Sequence, residues 1–135
     1  MTPDASQPPE PGSGTLFDQV GGQAVFDALA RRLRDRIAAD GTLSALFAGV
    51  DPTAFERRFA AFLSQYFGGP RHYAALRGAP RLQARHAPYR IAGIHREAWL
   101  RAMDAALAET VAAGQLSPSQ ATVIRDYVTA MAQRL

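Results

Sequence analysis

His86-Ala87-Pro88-Tyr89 stands sixteen residues after Pro70, the last residue of Gln65-Tyr66-Phe67-Gly68-Gly69-Pro70. Between the two lies a loop rich in arginine and tyrosine. The order is the end of an amphipathic helix, a Gly-Gly-Pro breaker, that loop, and one histidine close to a proline. It suits a site that holds a flat, partly charged ligand against an imidazole. Histidine is the commonest metal ligand. A single histidine identifies no site by spacing, however, and most histidines are solvated or satisfied inside the protein. The two others are less promising. His72 sits between Arg71 and Tyr73 and is expected in solvent, and His95 is expected on the polar side of a helix start.

Other chemistries find little support. The carboxylates, from Asp35 to Glu109, fall at helix caps or on polar faces, and no pair is placed for acid–base work. Gly21-Gly22 lacks the lysine and the following Ser/Thr of a phosphate loop. There is no HExxH and no nucleophile elbow. The absence of cysteine excludes disulfides and thiolate-bound clusters or haem, and agrees with a reducing, cytoplasmic setting.

The elements that must position these residues are helical. Apolar residues make up 47% of the chain, and the 135 residues suit one domain. Residues 1–14 are proline-rich, without a basic start or an apolar run, and are expected to be a disordered tail rather than a signal peptide. The globular domain is expected over 15–135. No segment is apolar for long enough to span a bilayer. All fifteen basic residues are arginine, giving a net charge of +3, but they interleave with acids as in Arg34-Asp35-Arg36. That is the pattern of solvated helix faces rather than of a nucleic-acid surface.

Phe26, Leu29, Leu33 and Ile37 share one face of a helix from about Gly22 to Ala39. Asp40-Gly41 stops it, and Thr42 is expected to cap a short helix through Phe47. Asp51-Pro52 starts the next, with Phe55, Phe59, Phe62, Leu63 and Tyr66 in one stripe. Residues 71–92 are expected to be irregular, with a turn or two of helix at most. A loop of that length in a helical domain is often functional. Gly93 opens a long helix with Trp99, Met103, Ala106, Leu107 and Thr110 on one side. Ser117-Pro118 starts the last, with Val123, Ile124, Tyr127, Val128 and Met131 inward. No stretch alternates with period two, so the fold is all-α. An aromatic stripe at helical spacing is usually core, yet several large rings near one histidine also suit a planar cofactor.

Five ordered blocks resemble the truncated haemoglobins, the two-over-two globins, and their second group in particular. They are Phe17-Asp18-Gln19-Val20-Gly21-Gly22, Phe62-Leu63-Ser64-Gln65-Tyr66-Phe67-Gly68-Gly69-Pro70, Arg77-Gly78-Ala79-Pro80-Arg81-Leu82, Arg85-His86-Ala87-Pro88-Tyr89-Arg90-Ile91 and Ala98-Trp99-Leu100. The resemblance implies a truncated-globin two-over-two helical sandwich that binds haem b, with His86 as the proximal iron ligand. It implies Arg58, Tyr66 and Tyr73 at the haem propionates, where a guanidinium fork and phenol hydroxyls suit carboxylates. Leu82, Arg85, Tyr89, Ile91 and Met103 complete the implied haem contacts. On the ligand side the matching positions are Arg34, Phe47, Phe55, Phe59 and Trp99. Of these, Trp99 is the best hydrogen-bond donor to a ligand that gains negative charge.

The chain departs from the group in two places. Arg34 stands where a ligand-facing tyrosine is usual, and Phe47 cannot donate a hydrogen bond. Phe55 is also bulkier than the small residue common at its position. Arg34 has two readings: it pairs with an acid or a propionate, or it points at the ligand as a fixed cation. The resemblance implies reversible binding of oxygen or another diatomic, with iron kept ferrous by a reductase that the sequence does not identify. The alternative is a haem redox enzyme acting on peroxide or nitric oxide. A homodimer stays open, and neither nucleic acid nor membrane is expected as a partner.

Overall fold

A computed structural model describes residues 14–135, so the tail expected over 1–14 lies, but for Gly14, outside the described residues. The described chain forms α1 (Leu16–Gln19), α2 (Gln23–Ala39), α3 (Gly41–Leu46), α4 (Pro52–Tyr66), α5 (His72–Arg77), α6 (Leu82–His86), α7 (Gly93–Ala112) and α8 (Pro118–Ala132). It is all-α. α2 packs on α4 and crosses onto α7, which pairs with α8. This is one helix pair over another. The seam between them is apolar: Phe26, Leu29, Leu33 and Ile37 of α2 meet Leu63 of α4 and Met103, Ala106 and Leu107 of α7, all buried. No helix among the described residues is long and apolar enough to cross a membrane.

Caps set the boundaries. The Asp51 carboxylate accepts from Thr53 N at 2.9 Å and Ala54 N at 3.3 Å, and Pro52 fills the first turn of α4. Ser117 and Gln120 cap α8 reciprocally, at 3.1 and 2.9 Å. Asp40 serves two helices. It ends α2, and its carboxylate accepts from Leu43 N at 3.0 Å to start α3. Thr42 is therefore not the cap of α3. A carboxylate beside the free N–H groups is the stronger acceptor.

Two further expectations change. Residues 71–92 hold two short helices, α5 and α6, and are not largely irregular. α5 is tied to α4 by tertiary contact, with Ala74 N donating to Gln65 Oε1 at 2.9 Å. Val123 is half exposed, at 50%, while its neighbour Ile124 is buried. The core-facing stripe of α8 runs through Ile124 and Val128 and leaves Val123 outside.

The Gly68-Gly69 corner fixes where α4 ends. Phe17 N donates to Phe67 O at 3.0 Å, bringing α1 across the corner. Gly68 has φ +103°, and a methyl group on Gly69 would lie 2.6 Å from Phe17 Cδ2 and 2.8 Å from the Ser64 carbonyl oxygen. Neither the backbone carbonyl nor a ring packed on Phe26 can withdraw cheaply. Gly69→Ala is expected to cost about 1–3 kcal/mol by overpacking. Gly41→Ala has open space around the new methyl and should stay within about 0.5 kcal/mol, as surface changes do. Urea unfolding of the two variants checks the contrast.

Candidate functional site

α3, α4, the α5–α6 segment, the start of α7 and the end of α8 enclose a cavity of ≈ 260 Å³. Its apolar wall is mostly aromatic. Phe47 meets Phe55 edge-on at 5.2 Å, Phe55 stacks on Phe59 at 5.7 Å, and Phe59 meets Trp99 edge-on at 6.1 Å. These rings come from the C-cap of α3, from α4 and from α7, and form one continuous run. Leu82, Tyr89 and Ile91 line the cavity from the segment around His86.

His86 ends α6 and lines the same cavity, half-buried. Its Nδ1 lies 2.7 Å from the Leu82 carbonyl oxygen. A carbonyl only accepts, so Nδ1 carries a proton, and in the neutral ring Nε2 holds the lone pair. The preceding residue fastens the segment. Arg85 Nε donates to Pro80 O at 2.9 Å and its Nη2 to Arg77 O at 2.6 Å, while the side chain also lines the cavity. Arg81 starts α6 in the left-handed region at φ 45°, which an L-residue adopts only when its surroundings hold it there.

The polar lining is made of arginines, phenols and imidazoles. Arg58, Tyr73, Arg77, Arg85, Arg96 and His95 are all on the wall, and no Asp or Glu is among the lining residues. Tyr73 is buried edge-on to Phe62, with ring centres 5.4 Å apart. His95 corrects an expectation: it is not a freely exposed helix-start residue. It is half-buried, its Nδ1 accepts from Ala92 N at 2.9 Å, and its ring faces the cavity. Sequence reasoning also left out Arg77, Arg96, Phe62 and Tyr127, together with Leu43, Leu46, Val50, Met131 and Leu135. The stripe Tyr127, Val128 and Met131 was the available signal for the α8 wall, because the same face that seals the core reaches the cavity.

Three of the expected residues are not on the wall. Arg34 Nη1 lies 2.7 Å from Glu56 Oε1 as an ion pair, although outside hydrogen-bond angles, and its Nη2 is 3.4 Å from Asp35. The acid on α4 offers the guanidinium a counter-charge at a half-exposed site, so it is not driven toward the apolar cavity. Tyr66 stacks on Tyr127 with ring centres 3.7 Å apart, behind the wall. Met103 is fully buried in the α2–α7 seam. His72 is exposed and lines a second hollow of ≈ 390 Å³ with Gln23, Asp27, Arg57, Ala61, Ala75 and Leu76. That hollow is larger but shallow, with mostly exposed, polar or small side chains and no aromatic wall.

The donor set limits what the first cavity can hold. Among the described residues no three His, Cys, Asp or Glu side chains cluster to cage a metal ion. One imidazole with a free Nε2 suits a metal that already carries its other ligands in a macrocycle. A flat aromatic slot with arginines and phenols at its edge fits a planar group bearing carboxylates. The residues present therefore fit haem.

Comparison with known proteins agrees with this geometry. A model of the bacterial-like globin family matches residues 15–133. The chain is 35% identical over 86 residues to the group 2 truncated haemoglobin YjbI of Bacillus subtilis, covering 64% of each chain. It is 41% identical over 59 residues to the group 1 truncated haemoglobin GlbN of Nostoc commune, covering 44% of this chain and half, 50%, of that one. Among solved structures it superposes on the thermostable haemoglobin of Thermobifida fusca with a TM-score of 0.82 at 38% identity, covering 89% and 94% of the two chains. It superposes on the group II truncated haemoglobin of Bacillus anthracis with a TM-score of 0.80 at 30% identity, covering 88% of each. The helix order, the imidazole-bearing cavity and these matches agree, and the chain belongs to the bacterial-like truncated globins, a family of haem-binding proteins.

Proposed function

We propose that this chain holds haem b in the aromatic cavity through His86 and reversibly binds oxygen or another diatomic molecule there, in the cytoplasm. The observation that carries this reading is the hydrogen bond from His86 Nδ1 to Leu82 O, which leaves Nε2 as the only nucleophilic atom of that ring. Haem, if bound here, would supply an iron that the His86 imidazole could hold and that could take up a small diatomic molecule. The carbonyl partner also fixes the orientation of the imidazole. Arg58, Tyr73 and Arg96 are the wall groups suited to carboxylates, with Arg77 beside them. Trp99, at the end of the ring run, can offer its indole N–H to a ligand that gains negative charge. A separate reductase would return the iron to the ferrous state.

The ion pair of Arg34 with Glu56 favours ligand binding over an enzymatic role with peroxide or nitric oxide. A cation aimed at the ligand would stabilise charge that builds up as an O–O bond breaks, and this cation is turned elsewhere. Arg34→Leu should leave azide affinity and peroxide reactivity near wild type. It should change stability by about 1 kcal/mol at most, the usual range for a part-exposed pair. A large drop in both reactivities would revive the enzymatic reading.

The axial assignment is checked by absorption spectra of purified variants. His86→Ala should lose haem or its normal Soret band, while His72→Ala and His95→Ala keep both. An unchanged spectrum for His86→Ala would exclude His86 as the ligand. Trp99→Phe retains the ring packing and removes one donor. A hydrogen bond to a charged acceptor is worth about 1.5–3 kcal/mol, so oxygen dissociation should quicken roughly ten- to a hundredfold. Stopped-flow dissociation rates test this, and an unchanged rate would leave Trp99 a packing role only.

A further inference from the structure

Tyr127 does two things at once. It lines the cavity, and its ring lies on that of Tyr66, centre to centre 3.7 Å and 16° from parallel. Among the described residues this is the only contact between two phenol rings. Tyr73, the buried phenol of the wall, meets Phe62 instead, and Tyr89 is 44% exposed. Tyr66 is itself half-buried, beyond Tyr127 as seen from the cavity. The stack is framed by Phe62 and Phe67, whose rings lie 6.2 and 5.6 Å from that of Tyr127.

We propose that the Tyr127–Tyr66 stack is an internal electron donor to the haem cavity, oxidised to a covalent dityrosine when hydrogen peroxide is reduced there. The inference rests on the haem reading above. Each phenol ring gives up one electron and one proton. The two electrons break the O–O bond of one peroxide molecule, and the two protons complete two molecules of water. The oxidised rings then join through carbons adjacent to their hydroxyls, losing one ring hydrogen apiece while the hydroxyls are restored. One peroxide thus consumes one tyrosine pair. The process is stoichiometric protection of the cavity, not turnover.

The arrangement favours this outcome over random damage. A lone oxidised tyrosine must wait for a partner, whereas here the partner ring is already in van der Waals contact. Burial pushes the Tyr127 hydroxyl well above the ordinary phenol range, with Tyr66 adding to the effect, and burial raises Tyr66 as well. Both rings are therefore neutral phenols at physiological pH, and each electron must leave together with a proton.

The test uses the ferric holoprotein and one equivalent of hydrogen peroxide, followed by cleavage at arginine and mass spectrometry. Tyr66 and Tyr127 then fall in separate peptides, 59–71 and 126–134. The expected product is these two peptides joined, lighter than their sum by a pair of hydrogens, with dityrosine fluorescence. Tyr66→Phe and Tyr127→Phe keep the stacked ring and should each reduce the link to background. The haem absorption band, recorded before peroxide is added, reports the underlying reading separately. No band would sink that reading and this inference with it. A normal band with peroxide consumed and no 59–71/126–134 link would overturn this inference alone, as would a link whose yield survives either Phe variant.

Discussion

The bond between His86 Nδ1 and the Leu82 carbonyl decides what the cavity can do. It fixes which ring nitrogen of this cavity imidazole carries a proton and turns the other nitrogen to a different task. The other cavity histidine shows the reverse arrangement. His95 Nδ1 accepts from Ala92 N and so has its lone pair in use, leaving Nε2 as the protonated nitrogen. Two histidines on one wall are thus distinguished by which backbone atom each meets. That distinction depends in turn on a segment too short to hold a helix by itself. α6 is five residues long, starts from a left-handed Arg81, and is held by the Arg85 fork on two carbonyls. The charge on Arg85 is spent on the backbone it follows, and this keeps the His86 ring in place.

The remaining architecture supplies walls for that imidazole. α4 contributes Phe55, Phe59 and Phe62, α7 contributes Trp99, and α8 contributes Tyr127, Val128 and Met131. α2 never reaches the cavity. Its role is to hold α4 and α7 at a fixed separation through Phe26, Leu29 and Leu33, each almost wholly buried. Tyr66 and Tyr127 join this packing to the cavity wall, so the core and the site share side chains.

Much of this was legible in the sequence where a local rule operates alone. Asp51-Pro52 and Ser117-Pro118 announce their helices through capping chemistry, and the spacing of Phe26, Leu29, Leu33 and Ile37 gives the buried face of α2. The ring run from Phe47 to Trp99 followed from the resemblance. The sequence failed where distant partners decide. α5 and α6 are too short for a periodicity to show, and are held by Gln65 and by Arg85. Thr42 lost its expected capping role to Asp40, two residues earlier, because a charged acceptor was already within reach. Arg34 follows Glu56, an acid on another helix whose proximity no spacing reveals. Tyr66 stacks on a residue sixty-one positions later in the chain, a partner that no local spacing reveals.

The central claim is that His86, and not His95, presents its Nε2 to haem iron. Resonance Raman spectra of the ferrous protein read the iron–imidazole stretching band directly. The band should be present in wild type, absent from His86→Gly, and restored when free imidazole is added to fill the space left by the side chain. A band that persists in His86→Gly without added imidazole would contradict the account and transfer the ligand role to another histidine of the chain.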